Sequence, residues 1–149
     1  MQRLYCLCFL IFVGLGLCAC TQLPWRHTLQ IALRATNDAN NGTATPVDIV
    51  FVYDENLAAW LPKTSPEWFA KKTVLMNERS SVIEIAHVEV PPGTPVQTIK
   101  LAARHQKAKA VIAFANYIDS KGQFPANLMP FKCVTITLKH DAVAYDACR

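Results

Sequence analysis

From residue 28 onward the chain breaks into short segments that alternate with period two, or run apolar through β-branched residues, with turn formers between them. No other feature narrows the fold as far, because a period of two puts successive side chains on opposite faces of a strand, whereas a helix needs 3.6. Thr28 to Ala35 places Leu29, Ile31 and Leu33 on one face and Gln30 and Arg34 on the other. Val47 to Tyr53 is apolar except for Asp48, with Val47, Ile49, Phe51 and Tyr53 opposite Val50 and Val52, and predicts a central strand covered on both faces. Val82 to Val90 and Ala110 to Tyr117 are further strands, the first closed by the turn Pro91-Pro92-Gly93. Between Thr94 and Lys107 two readings stand: Gln97 to Leu101 alternates like a strand, the reading preferred, while Thr94-Pro95 suits the cap of an Ala-rich helix. Ser65-Pro66-Glu67 supplies an N-cap, a first-turn Pro and an acid for a short helix over one end of a sheet, with Trp60, Trp68 and Phe69 as anchors. Together these predict an all-β chain, a β-sandwich of seven to eight strands with one or two short helices.

Ahead of that region lies a different pattern. Behind Arg3, Cys6 to Val13 is unbroken apolar sequence, and no charge occurs between Leu4 and Ala19. This is the form of a secretory signal peptide, shorter than the roughly 20 residues of a spanning helix, and no second long apolar stretch follows. Its end, Leu17-Cys18-Ala19-Cys20-Thr21, resembles the bacterial lipobox. Cys20 is the better site, having small Ala19 before the cleaved bond and aliphatic Leu17 two residues earlier; Cys18 would place Leu17 at that bond. The expected division is a leader at 1–19, a lipidated tether at 20–27 and a domain at 28–149. Each buried acyl methylene contributes about 0.8 kcal/mol, so two or three chains hold a protein on a bilayer without a transmembrane helix. By resemblance to enterobacterial sorting rules, Thr21 after the Cys favours the outer membrane.

With Cys6, Cys8 and Cys18 in the leader and Cys20 lipidated, Cys133 and Cys148 remain, and a disulfide is the default for an exported pair. Cys133 to Leu138 and Ala142 to Cys148 read as two strands of a hairpin. If His140 and Asp141 form a two-residue turn, Leu138 faces Val143, Ile136 faces Tyr145 and Cys133 faces Cys148, within reach of a disulfide.

The formal charge of +4 is small and scattered, which argues against nucleic acid. The one basic cluster, Lys100, Arg104, Lys107 and Lys109, reads as a solvated edge. There is no Gly-x-Ser-x-Gly elbow, no His-Glu-x-x-His and no phosphate-cradling loop. His87, His105 and His140 are scattered and read as structural or solvated, and Asp54, Glu55 and Asn56 lack the spaced oxygens of a calcium loop. Neither an enzyme nor a metal or cofactor is expected, apart from the covalent lipid on Cys20.

The ordered features resemble the outer-membrane lipoproteins of type VI secretion systems, the TssJ family. Asn37, Gly42, Pro46 and Tyr53 stand in the family's order, followed by the aromatic segment Trp60 to Phe69, the Pro-Gly turn after Val88-Glu89-Val90, and the strand ending Ala113-Phe114. The Arg that often follows is Ala115 here, and the region of Phe124 and Phe131 replaces an expected Trp-Arg pair, so the resemblance is to a divergent member. It implies a transthyretin-like β-sandwich on the periplasmic face of the outer membrane, binding the periplasmic C-terminal region of the inner-membrane protein TssM to anchor the secretion trunk. The polar loop Asn37 to Pro46 is the expected contact, through Asn37, Asp38, Asn40, Asn41, Gly42 and Pro46: it is the longest small-residue loop between strands, and the family's corresponding loop lies at the interface. Two other classes fit the composition: a lipoprotein inhibitor of a hydrolase such as lysozyme, and a small-molecule binder, which would show an apolar pocket.

Overall fold

The computed structural model of the chain describes residues 29–119 and 123–148. Cys20, the expected leader and the expected tether lie outside the described residues. The strands are β1 (Gln30–Ala35), β2 (Thr45–Val52), β3 (Ile83–Val90), β4 (Gln97–Ile99), β5 (Ala110–Ala115), β6 (Ala126–Asn127), β7 (Cys133–Leu138) and β8 (Val143–Ala147). They make two four-stranded sheets, ordered β4-β1-β7-β8 and β3-β2-β5-β6. Neighbours are antiparallel except β1 and β7, which run parallel with Gln30 opposite Cys133 and Ala35 opposite Leu138. The ambiguous stretch divides: Gln97–Ile99 pairs with β1, and Ala103–Lys107 forms a 3-10 turn rather than an Ala-rich helix.

Period two does the sorting. Ile31 and Leu33 of β1, Val47, Ile49 and Phe51 of β2, Val111 and Ala113 of β5, and Val134, Ile136 and Leu138 of β7 meet between the sheets. Each such Val, Leu, Ile or Phe side chain contributes about 1.5–3 kcal/mol when fully buried. Val50 and Val52 point the other way and join Leu61, Trp68, Ile83 and Phe114 in a second core. Thus β2 is central and covered on both faces, as its near-continuous apolar run demands.

The second core exists because two helices lie outside that sheet, α1 (Glu55–Ala58) and α2 (Ser65–Arg79). At 15 residues, α2 is longer than the short helix expected, and it lies along the sheet face instead of over one end. Its cap is Thr64, one residue before the Ser65 predicted: the Thr64 hydroxyl accepts the Glu67 amide at 3.4 Å. Trp68 is its fully buried anchor, stacked on Phe114 with centroids 4.7 Å apart.

In the terminal hairpin Leu138 faces Val143 and Ile136 faces Tyr145. The Lys139 amide donates to the Ala142 carbonyl at 2.9 Å, closing the turn over His140 and Asp141. Cys133 and Cys148 are disulfide-bonded with Cα atoms 5.3 Å apart.

These registers give the sandwich two distinct ends. The described chain enters at Leu29, beside the disulfide and beside Ile99, the partner of Ile31. At the opposite end β1 stops at Ala35, β2 starts at Thr45, β3 stops at Val90, β5 stops at Ala115, and the turn of the β7–β8 hairpin lies. A six-residue strand is about 20 Å long, which sets the separation of the two ends.

Candidate functional site

The loop end is built around the residues after β1. Thr36 continues the sheet, its amide donating to the Leu138 carbonyl at 2.9 Å, and its carbonyl accepts the Gly93 amide at 2.9 Å. Gly93 is required here. Its φ is +72°, and a Cβ on it would sit 2.8 Å from Asn37 Oδ1. Asn40 and Asn41 follow in the left-handed region, at φ 49° and 55°, which Asn tolerates better than other side-chain-bearing residues. That conformation turns their amides onto the terminal hairpin: Asn40 N donates to Lys139 O at 3.1 Å and Asn41 N to His140 O at 3.3 Å.

The Asn40 side chain is a post rather than a contact. It is 1% exposed, its Oδ1 accepts the Ile118 amide at 2.8 Å, and its Nδ2 donates to the Asn116 carbonyl at 3.5 Å. Asn40 was expected among the loop's contact residues; its side chain is committed within the fold, a buried amide that ties two loops. Pro46 is likewise committed, as the partly buried second residue of β2, its carbonyl accepting the Asn116 amide at 2.8 Å. Nor is the loop without burial of its own: Ala39 and Thr45 are fully buried. Of the expected contact residues, Asn37, Asp38, Asn41 and Gly42 are exposed. The Thr36 hydroxyl, the residue's own backbone amide and the charge of His140 hold the Asp38 carboxyl below the usual carboxylate range, so it presents a negative charge.

Two further segments brace this end. Buried Tyr117 reaches the hairpin turn, its hydroxyl 3.0 Å from the Lys139 and Ala142 carbonyls and accepting the Lys139 amide at 3.2 Å. Burial pushes its phenol up to about 12. Gln123 donates from Nε2 to Asp141 O at 2.9 Å, accepts Val143 N at 3.2 Å through Oε1, and accepts the Ser65 amide at 3.0 Å through its carbonyl. Next to these supports stand two exposed apolar side chains, Ile118 at 61% and Phe124 at 82%. An apolar pair beside a rim of Asn37, Asp38, Asn41 and His140 is suited to a protein partner, since aromatic anchors inside a polar rim carry most interface energy. The sequence places the expected contact in Asn37 to Pro46, with the loop between Tyr117 and Phe131 as the alternative; within that loop Ile118 and Phe124 were not singled out as contacts, although large apolar residues outside any alternating segment were the available signal.

A second polar cluster, under α2, is structural. Asp48 is fully buried on the helix side of β2 and accepts Trp68 Nε1 at 2.8 Å, Lys72 Nζ at 3.0 Å and His87 Nδ1 at 2.5 Å. It pins α2 to two strands. His105, read from the sequence as structural or solvated, is structural: it is stacked on Phe51 at 3.9 Å and lies 3.3 Å from Glu84, which also accepts the Tyr53 hydroxyl at 2.7 Å. The cavity bordered by Leu29, Ala108 and Phe131 holds about 20 Å³, enough for about one water and not for a ligand. A wider groove of about 620 Å³, lined by Arg34, Val96, Thr135, Asp146 and Ala147, is open to solvent.

Two sheets with a parallel β1–β7 pair, two outer helices and a loop cluster opposite the entry point define a transthyretin-like β-sandwich. No family model matches the chain, and no curated protein matches it in sequence. Solved structures do match. The type VI secretion lipoprotein TssJ1 from Pseudomonas aeruginosa gives a TM-score of 0.60 at 14% identity, over 81% of this chain and 95% of that one. Serratia marcescens Lip, a membrane-bound component of the type VI secretion system, gives 0.57 at 9% identity, over 81% and 97%. A chain in a structure of the TssM C-terminal domain from EAEC gives 0.54 at 14% identity, over 80% and 100%. This chain has the fold of type VI secretion lipoproteins.

Proposed function

We propose that this protein is a divergent TssJ-type lipoprotein of a type VI secretion membrane complex, held by acylated Cys20 on the periplasmic face of the outer membrane. In this reading its loop end binds the periplasmic C-terminal region of TssM and so anchors the secretion trunk. The observation that carries it is the match to TssJ1 over 81% of this chain and 95% of that one. The likeness to a chain in a TssM C-terminal domain structure supports the choice of partner. The two-ended architecture supports the geometry, because a lipid attached ahead of Leu29 leaves Asn37, Asp38, Asn41, Ile118 and Phe124 about one strand length away, directed off the bilayer. Among the described residues no helix is long and apolar enough to cross a membrane.

A pull-down from detergent-solubilised envelopes tests the assignment. Recovery of TssM with the protein, and its loss when Ile118 and Phe124 are both replaced by Ser, is the expected outcome. Recovery of a hydrolase without TssM would overturn it in favour of an inhibitor.

A further inference from the structure

The entry end carries a feature that partner binding at the loop end does not use. The crossover from β4 to β5, residues 100–109, spans from one sheet to the other at this end. Lys100 follows Ile99, the partner of Ile31, and the Lys109 amide donates to the carbonyl of Val52, the last residue of β2, at 2.7 Å. Leu29 and Ala108 border the same small cavity, so the crossover sits beside the point where the chain enters the fold. Lys100, Arg104, Lys107 and Lys109 are all exposed on it. Glu84 pairs with Arg104 at 3.4 Å and Glu55 with Lys109 at 3.2 Å, while no ion pair with a described residue takes up Lys100 or Lys107. The crossover is held rigidly for so polar a segment, by His105 stacked on Phe51 and by Arg104 lying 4.8 Å from the Tyr53 ring centre.

We infer that this crossover is a membrane-facing surface, with Lys100 and Lys107 seated on anionic phospholipid headgroups of the leaflet that holds the anchor. The inference rests on the proposed acylation of Cys20 and adds a specific face to it. Two observations select a bilayer as the occupant. First, the links from Cys20 to Leu29 reach at most about 30 Å when fully extended, so a lipid on Cys20 confines this end near the headgroups at high effective concentration. Second, the uncompensated charges on the crossover itself are positive, and a cation near an anionic bilayer gains about fivefold in partition. The helix side of the same end is less suited, because Asp54 and Glu78 border exposed Trp60. The tether alone would leave the domain free to rotate; the two lysines fix which side faces the membrane, and with it the direction in which the loop end points.

The test uses the full acylated chain purified from membranes and reconstituted into vesicles of phosphatidylethanolamine with phosphatidylglycerol, or of phosphatidylcholine alone. Backbone hydrogen exchange over 100–109 is read by mass spectrometry. Slower exchange on the anionic vesicles than on the neutral ones, lost in molar salt and lost in the Lys100→Glu, Lys107→Glu double variant, is the expected result. Both lysines are exposed and unpaired, so the variant folds; an unchanged melting temperature confirms it, and Lys100→Gln with Lys107→Gln should give an intermediate loss. Equal exchange on both vesicles, or slowing that survives the charge reversal, overturns the inference while leaving the anchor intact. Failure of the wild-type chain to float with vesicles overturns the anchor reading and this inference together.

Discussion

Asp48 shows how a single residue can be visible in a sequence and still hide its role. It is the lone charge in an apolar strand, and a buried carboxylate must find donors, yet nothing local names Trp68, Lys72 and His87 as those donors. Breaking such a buried pair costs about 3–5 kcal/mol, so Asp48→Ala should lower the urea midpoint sharply; a variant as stable as wild type would show that the cluster does not hold α2. The tyrosines give a paired prediction. Tyr117 uses its hydroxyl to tie the hairpin turn, whereas the buried Tyr145 hydroxyl finds no partner among the described residues. Tyr117→Phe should cost about 1 kcal/mol or more, and Tyr145→Phe should be neutral or stabilising. Denaturant melts that rank the two the other way would contradict the hydrogen-bond assignment. Tyr117 and Tyr53 also give a pH dependence. Burial raises Tyr117 to about 12, and burial together with the Glu84 bond raises Tyr53 to about 12, both from the ordinary 10. A raised folded value favours the neutral form, so their stabilisation is complete below pH 10 and is lost as pH rises through 12. The urea midpoint should fall across that window, and fall less in Tyr117→Phe.

At the scale of elements, legibility followed locality. The terminal hairpin was readable to the residue because its register is fixed by a two-residue turn and its cysteines lie opposite each other in that register. Removing the disulfide as Cys133→Ala, Cys148→Ala should cost about 3 kcal/mol, the value for closing a loop of about 15 residues in the chain-entropy model. A loss below 1 kcal/mol by chemical denaturation would mean that the strand pairing alone sets the hairpin. The length of α2 was less readable, because it buries a thin stripe around Trp68 while Val74 is exposed and Lys71, Glu78 and Arg79 face solvent. The Asn37 to Pro46 loop was legible as a loop, but its internal supports were not. Its polar composition suggested a free surface, and only the neighbouring hairpin and the carbonyl of Asn116 reveal why residue 40 is an Asn.

For the whole molecule, the decisive arrangement is non-local and so was beyond sequence reasoning. The parallel pairing of β1 with β7 brings the loop after Ala35 to the hairpin turn at His140, and the same pairing sets the disulfide next to the entry point. In the proposed function, one end is assigned to a partner and the other to the membrane. If Cys20 is the anchor, Cys20→Ser should move the protein from the membrane fraction to the periplasm or stall its processing, as read by fractionation and by labelling with a palmitate analogue; unaltered label would refute the lipobox assignment. The central claim is that the loop end binds TssM. Calorimetric titration of the protein with the purified periplasmic C-terminal domain of its cognate TssM tests it most directly. The account predicts saturable binding, weakened at least about tenfold by Ile118→Ser with Phe124→Ser, a loss of about 1.4 kcal/mol, and unchanged by Lys100→Glu with Lys107→Glu at the far end. Absence of binding by folded wild-type protein, or undiminished affinity in the folded Ile118, Phe124 variant, would contradict it.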